Sequence, residues 1–492
     1  MVKLNSIPNS LYLLSGRIIL GLGQLLMLRV LTGILDSSEM GKYYLVMSII
    51  SGMILLLINP VSQYIQRHLH GWNREGMARI AGYRFLILLA GIAIGTSIMM
   101  WGINFFSLME FDLPLIFLVL VIPLLVVFVA LTGLLPGLCN ILGKYKAFVI
   151  LSNMDLWGKI GLVGLFAVLF PDLVTTVLLA VVCWSVISVL ISGRYFYGLL
   201  NKPIVGQNTL DLKMVKNDLF AFVWPLAIAA GLYWGQSEGY RFILQRTVGV
   251  DVVGKFVVAF NLGAALMIAV DTLFHQLYLP KFYQEISAET DKGHIDAWNK
   301  YAKKVTGVCI PVGLYIACAG PFLARWFLHE NYWDMGIYAA FGAISQLFRI
   351  ISAAFYYGIV ARKTTNLLIL PYIFGTMVAL VGTFFLSKQF PIQGTGSALI
   401  FSYVIVCILS YIQLKRKLDI QIPWSRIGEA ILFCLPLCFL LLIAYKFGLD
   451  LRPMMNLFLL ALTGLGMLAI QWRLAGDVWF QSGDTVDIRG AG

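Results

Sequence analysis

Charge is scarce in this sequence. Only 12% of its 492 residues are Asp, Glu, Lys or Arg, where soluble domains carry about a quarter. With 60% hydrophobic residues, the chain has more apolar surface than a water-soluble core can absorb, so its solvent is lipid. Cysteine is sparse and unpatterned. The seven cysteines (139, 183, 309, 318, 407, 434 and 438) lie in or beside apolar segments and form no CxxC. Cys434 and Cys438 share a helical face, but two thiols do not make a metal site, and cysteine used as a small hydrophobe accounts for all seven. No HExxH and no metal-ligand cluster occurs, and the one GxSxG, GQSEG at 235–239, lies inside an apolar span and not on the strand-to-helix turn that such a nucleophile needs. Extended outer loops are also missing, none much exceeding about ten residues. A polysaccharide polymerase or ligase needs a substantial catalytic loop outside the membrane, so a membrane enzyme is disfavoured. The first apolar segment lacks a small-x-small cleavage site, is long for a signal h-region and carries Arg17 and Arg29, which argues against a cleaved leader.

Long apolar runs are present instead. Leu113 to Leu135 carries no charge, and roughly 20 such residues cross a bilayer core. Fourteen spans are predicted, at 11–35, 41–64, 84–107, 113–139, 147–170, 173–199, 220–246, 254–279, 303–326, 336–360, 366–387, 394–414, 427–447 and 453–473. The net charge of +12 could point to nucleic acid, but its distribution is topological. Connections on the N-terminal side of the spans hold 24 Lys and Arg, and the opposite side 7. This bias places both termini in the cytoplasm and argues against a nucleic-acid partner.

The sequence repeats itself. Gly23–Arg29, GQLLMLR, returns as GQSEGYR at Gly235–Arg241, so Gln24 and Arg29 match Gln236 and Arg241 at an offset of 212. Gly41-Lys42-Tyr43 matches Gly254-Lys255-Phe256 at 213, and LVGLF at 162–166 resembles LVGTF at 380–384 at 218. Six spans separate the copies. An even number keeps both in one orientation, which predicts parallel repeats about an axis along the membrane normal. The expected fold is therefore all-α and polytopic, with two six-helix lobes around a central cavity and two appended helices. The predicted divisions are 1–205, 206–418, 419–475 and a polar tail at 476–492.

LDSSEMGKYYLV after span 1, its echo VGVDVVGKFVVA after span 7, and the proline-broken FVWPLAIAAG opening span 7 resemble the polysaccharide and oligosaccharide flippases of the multidrug/oligosaccharidyl-lipid/polysaccharide exporter superfamily. The resemblance covers about residues 10–415. It implies twelve core spans in two bundles and export of a polyprenyl-diphosphate-linked oligosaccharide, such as an O-antigen repeat unit. The extra pair of spans leaves room for a fourteen-span relative, similar to lipid II flippases.

Ionisable residues at bilayer depth are costly and are functional suspects by default. Arg349 sits mid-span, one turn after Gln346, too deep to snorkel, and is either a substrate contact or a buried, partnered arginine. Arg17 and Gln24 are seven residues apart and share a helical face. Arg29 and Arg241 lie near the outer ends of their spans, where they either snorkel outward or face the cleft. Asp155 and Lys159 stand at i,i+4, Glu238 and Arg241 at i,i+3, and Asp271 and His275 at i,i+4. Each couple is either an internal ion pair or a working group. The substrate-binding candidates are Arg349, Arg29, Arg241, Arg17, Gln24, Gln236 and Lys159. The candidates for coupling are Asp271, His275, Asp155 and Glu238, with H+ or Na+ as the coupling ion and no other cofactor. Five bases against three acids make the cleft mildly cationic. That suits a diphosphate, since arginine forks pair with phosphate oxygens, and does not suit a cationic drug.

The expected activity is translocation of the lipid-linked sugar from the cytoplasmic to the periplasmic leaflet of the inner membrane by alternating access. Membrane lipid surrounds the chain, and a polysaccharide polymerase and glycosyltransferases are its expected partners. The competing function is a cation-coupled exporter of drugs or metabolites with the same architecture.

Overall fold

The computed structural model describes residues 7–106, 113–170, 174–201, 212–286, 291–361, 367 and 369–480. The 205/206 boundary and the tail from 481 onward lie outside the described residues. Among the described residues, all regular structure is helical, and fourteen stretches are long and apolar enough to cross a membrane, as expected from composition. Several helices outrun the predicted spans. The second stretch covers Ser37–Arg74 where 41–64 was expected, because the apolar segment continues into an amphipathic end, and a helix does not stop where the lipid does.

The chain divides into two compact units, Met1–Val257 and Val258–Gly492. The first contains α1 (Ile7–Ile34), α2 (Ser37–Met53), α3 (Asn59–Arg74), α4 (Ala78–Phe105), α5 (Ile122–Ile141), α6 (Tyr145–Leu169), α7 (Val174–Leu199), α8 (Leu212–Trp234), α9 (Tyr240–Val248) and the start of α10 (Val250–Ile286). The second contains the rest of α10, α11 (Asp291–Phe327), α12 (Ala339–Ala361), α13 (Ile369–Leu386), α14 (Pro391–Lys415), α15 (Trp424–Lys446) and α16 (Pro453–Phe480). Helix α16 thus continues past residue 475 into the start of the polar segment.

Three spans of the first unit contain a wide π-turn, at Ile54–Ile58, Phe117–Val121 and Gly235–Gly239. The first two have a shared cause. In each, the residue just before a proline donates its N–H five residues back, Asn59 to the Ile54 carbonyl and Ile122 to the Phe117 carbonyl. The ring of Pro60 or Pro123 would crowd the carbonyl four residues back, and the widened turn makes room. The third has no adjacent proline and carries the polar residues of GQSEGYR. Between α9 and α10, Gly249 adopts φ 113° and ψ 164°, a conformation open essentially to glycine.

The glycines that mark the repeat are contact residues. A Cβ on Gly254 would run into the Ser37 carbonyl, and one on Gly41 would run into the Val250 carbonyl. Each carbonyl lies four residues before the other glycine, so the crossing of α2 and α10 is reciprocal. Ser37 and Asp251 add a hydrogen bond at the crossing. In the second unit, Gly263 and Gly342 build the same kind of crossing between α10 and α12, facing the carbonyls of Ala339 and Phe260. Small residues permit such close backbone approach in membranes. Gly254→Ala is expected to destabilise the protein by about 1–3 kcal/mol, the usual cost of overpacking. Gly161→Ala, whose added methyl meets nothing, should be neutral or slightly stabilising. Thermal unfolding of both variants in detergent checks the contrast.

Helix α16 and the turn between it and α15 are tied to α11 by polar contacts. Tyr315 Oη lies 3.2 Å from Thr463 Oγ1, Gln471 donates to the Val308 carbonyl at 3.1 Å, and Arg325 pairs with Asp450 at 3.0 Å. The outer faces of α15 and α16 remain apolar and open, with Phe439, Leu465 and Leu468 exposed, which suits contact with lipid.

Candidate functional site

The residues singled out by sequence fall in both units. In the first unit, α1 packs on α6 through its glycines. A Cβ on Gly16 would strike Val149, and one on Gly23 would strike Leu156, while Asn153 donates to the Gly16 carbonyl at 3.2 Å. Ile18, Ile19, Leu22 and Leu26 form an exposed apolar arc. At about 100° per residue, Arg17 and Gln24 lie roughly 160° round from the middle of that arc. Gln24 is exposed there, so α1 has an accessible polar edge opposite its apolar one. Arg17 stacks over the Phe148 ring at 5.0 Å, and its Nε is buried without a hydrogen-bond partner. Arg29 has a buried Nη1 that is likewise unbonded. Neither guanidinium has a carboxylate among the described residues.

The other basic residues are compensated. Lys159 Nζ lies 2.7 Å from Asp155 Oδ2, with Thr132 Oγ1 at 3.5 Å. Arg241 is only 8% exposed. Its Nη1 donates to Glu238 Oε2 at 3.0 Å and to Ser48 Oγ on α2 at 2.8 Å, and the rings of Tyr44 and Tyr240 flank it. Gln236 is fully buried in the same π-turn. Arg29 and Arg241, matched by the repeat, therefore have different surroundings. Trp234 packs where a Gly52 Cβ would lie and donates to the Ser48 carbonyl at 2.8 Å.

In the second unit, Arg349 reaches from α12 to α10. Its Nη2 lies 2.8 Å from Asp271 Oδ2, and its Nε donates to Gln346. His275 Nδ1 is 3.0 Å from Asp271 Oδ1, with the ring off the line of a full hydrogen bond. Tyr357 meets the imidazole edge-on at 5.2 Å. Asp271 is therefore shared between an arginine and a histidine. Spacing along one helix showed only the second of these partners, because Arg349 is 78 residues away in the chain.

Pairing thus answers much of the charge excess. Asp155, Glu238 and Asp271 each hold one cation, and of the five basic residues at bilayer depth the two left without a carboxylate among the described residues are Arg17 and Arg29, both on α1. Burying a cation with no counter-charge is expensive, and a partner that brings negative charge relieves that cost. Sequence reasoning noted Gln346 beside Arg349 and missed Ser48 as a partner of Arg241. Gln346 was legible one turn from Arg349, whereas Ser48, 193 residues from Arg241, left no sequence signal.

No protein-family model matches the sequence, and no curated protein matches it. The fold is shared with solved transporters. A structure of the lipid II flippase MurJ in an inward-closed conformation aligns with TM-score 0.69 at 10% identity, covering 96% of this chain and 99% of that one. An inward-facing multidrug-resistance MATE family transporter of the MOP superfamily aligns with TM-score 0.59 at 12% identity over 83% and 95%. A MOP superfamily transporter from Pyrococcus furiosus, described as having reversed binding-pocket polarity, aligns with TM-score 0.59 at 12% identity over 86% and 95%. At such identities, what is shared with this chain is the fold.

Proposed function

We propose that this chain is a non-enzymatic transporter that moves a polyprenyl-diphosphate-linked oligosaccharide from the cytoplasmic to the outer leaflet of a bacterial inner membrane, with both its termini in the cytoplasm. The observation that carries the reading is the charge left after pairing: Arg17, on the polar edge of α1 that exposes Gln24, and Arg29, about 120° round the same helix from Arg17, both without carboxylates among the described residues. A diphosphate supplies the missing counter-charge through charge-assisted bonds to the guanidinium groups, and the prenyl tail stays in lipid. Glycosyltransferases upstream and a polymerase downstream are the partners such a substrate requires. Asp271 with His275, a carboxylate beside an imidazole at bilayer depth, is the group we assign to a coupling proton. The fold shared with a lipid II flippase is compatible with a lipid-linked substrate.

The alternative substrate is a cationic drug; the MATE neighbours are named as multidrug-resistance transporters. Such a cargo wants an unpaired carboxylate at depth. Against it, Asp155, Glu238 and Asp271 each hold a cation already. Proteoliposomes decide between the two. Inward movement of a fluorescent prenyl-diphosphate oligosaccharide, with no thermal stabilisation of the protein by cationic drugs, is the expected result. Stabilisation by the drugs alone would replace the lipid-linked sugar with the drug class.

A further inference from the structure

The first unit contains a cavity that the charged residues above do not use. It has a volume of about 390 Å³ and lies among α3, α4, α5 and α7, within the size range of ligand pockets. Its origin is legible in the residues. Ala78, Ala81 and Gly82 on α4 face Gly193 on α7 across the space, so the walls lack side chains that would fill it. Pro136 lies inside α5, beside the lining residues Leu134, Leu135 and Leu138. The floor is buried and apolar, with Leu69, Leu131 and Leu138 almost inaccessible, whereas Tyr83, Leu86 and Tyr197 are exposed at the rim.

One charged side chain lines this space, that of Arg79. Its Nη2 donates to the Leu200 carbonyl at 3.0 Å, its Nη1 approaches Tyr197 Oη at 3.4 Å, and the Tyr197 ring lies 4.4 Å beneath it. Its Nε is buried and has no hydrogen-bond partner, and no carboxylate pairs with it among the described residues. Arg79 sits in the first turn of α4, at the end of the unit where the basic connections gather. A cavity lined by leucines does not hold ordered water, because water needs two or more polar partners. An alkyl chain fits the floor, and an anionic group at the mouth answers the guanidinium.

We propose that this cavity binds one chain of an anionic membrane phospholipid, with Arg79 holding the phosphate and the acyl chain lying on Leu69, Leu131 and Leu138. Basic pockets between helices on the positive side of a membrane take anionic headgroups in this way. Tyr83 and Tyr197 sit where aromatic residues meet headgroups. The site is independent of Arg17 and Arg29 and of the transported substrate.

Native mass spectrometry of the full chain, purified in mild detergent and mixed with phosphatidylglycerol, phosphatidylcholine or a prenyl phosphate, tests the assignment. The wild type is expected to retain one phosphatidylglycerol in preference to phosphatidylcholine. Arg79→Ala should lower that retention about tenfold, the equivalent of about 1.4 kcal/mol. Gly193→Phe fills the cavity from a position where a Cβ makes only ordinary contact, with Leu135 at 3.8 Å. It should abolish retention while Arg79 remains. Both variants are compared by unfolding temperature, and Gly193→Phe serves if Arg79→Ala does not fold. Equal retention of the two phospholipids, or undiminished retention in Gly193→Phe, would overturn the proposal. So would preference for the prenyl phosphate, which would make the cavity part of the substrate path.

Discussion

Arg29→Ala is expected to slow translocation of a prenyl-diphosphate-linked sugar by roughly 10- to 100-fold, with normal membrane insertion. One charge-assisted hydrogen bond contributes about 1.5–3 kcal/mol, and that range converts to this factor. The argument rests on what the residue lacks. Arg241 has Glu238, Ser48 and two aromatic rings, so its charge is already answered. Arg29 has a buried Nη1 and no counter-ion among the described residues, so its charge is free to be answered by substrate. Arg29→Lys keeps the charge but not the planar fork and should fall between alanine and wild type. Arg17→Ala should act in the same direction and more weakly, because the Phe148 ring at 5.0 Å already offsets part of its charge. Flipping is measured in proteoliposomes by accessibility of the sugar to an added reagent, and insertion by protease mapping. An Arg29→Ala protein that inserts and flips at the wild-type rate would remove the residue from the site.

The fourteen spans were legible because lipid imposes one rule on every segment, about 20 apolar residues in a row. Their ends were less legible, since α10 and α11 each run for 37 residues and a helix passes into water without a change of period. Pairs on one helix were legible from spacing: Asp155 with Lys159, Glu238 with Arg241, and Asp271 with His275. Contacts between helices were not. Nothing in the chain puts Arg349 beside Asp271 or Arg241 beside Ser48, because those distances are set by packing. Glycine marks an intermediate case. Gly41 and Gly254 could be matched as copies, and packing gives the reason for the match, since each faces the carbonyl four residues before the other. Gly263 and Gly342 make a similar crossing, each facing the carbonyl three residues before the other, with no shared motif to announce it. The cavity beside Arg79 had a faint signal in Ala78, Ala81 and Gly82, small residues at i, i+3 and i+4 on one face of α4. Without its neighbours, that stripe was indistinguishable from a tight helix contact.

Asp271→Leu should destabilise the protein by about 3–5 kcal/mol, the cost of removing one partner from a buried ion pair. Asp271 has 9% of its side chain exposed and Arg349 23%, so the arginine left behind has little access to water. Replacing both partners, Asp271→Leu with Arg349→Met, should restore most of the lost stability, because a buried pair exchanged for apolar side chains of similar size is often neutral or better. Unfolding temperatures of the wild type, the two single variants and the double variant form the cycle, and the coupling between the two changes measures the pair. The stability of the double variant then makes it a functional probe. If Asp271, shared with His275, carries the coupling proton, the double variant will fold but lose the dependence of transport on a proton gradient. A double variant that folds and still transports with wild-type gradient dependence would assign the pair to holding α10 against α12 alone. Coupling would then fall to another carboxylate at depth, Asp155 beside Lys159 or Glu238 beside Arg241, each testable by the same exchange.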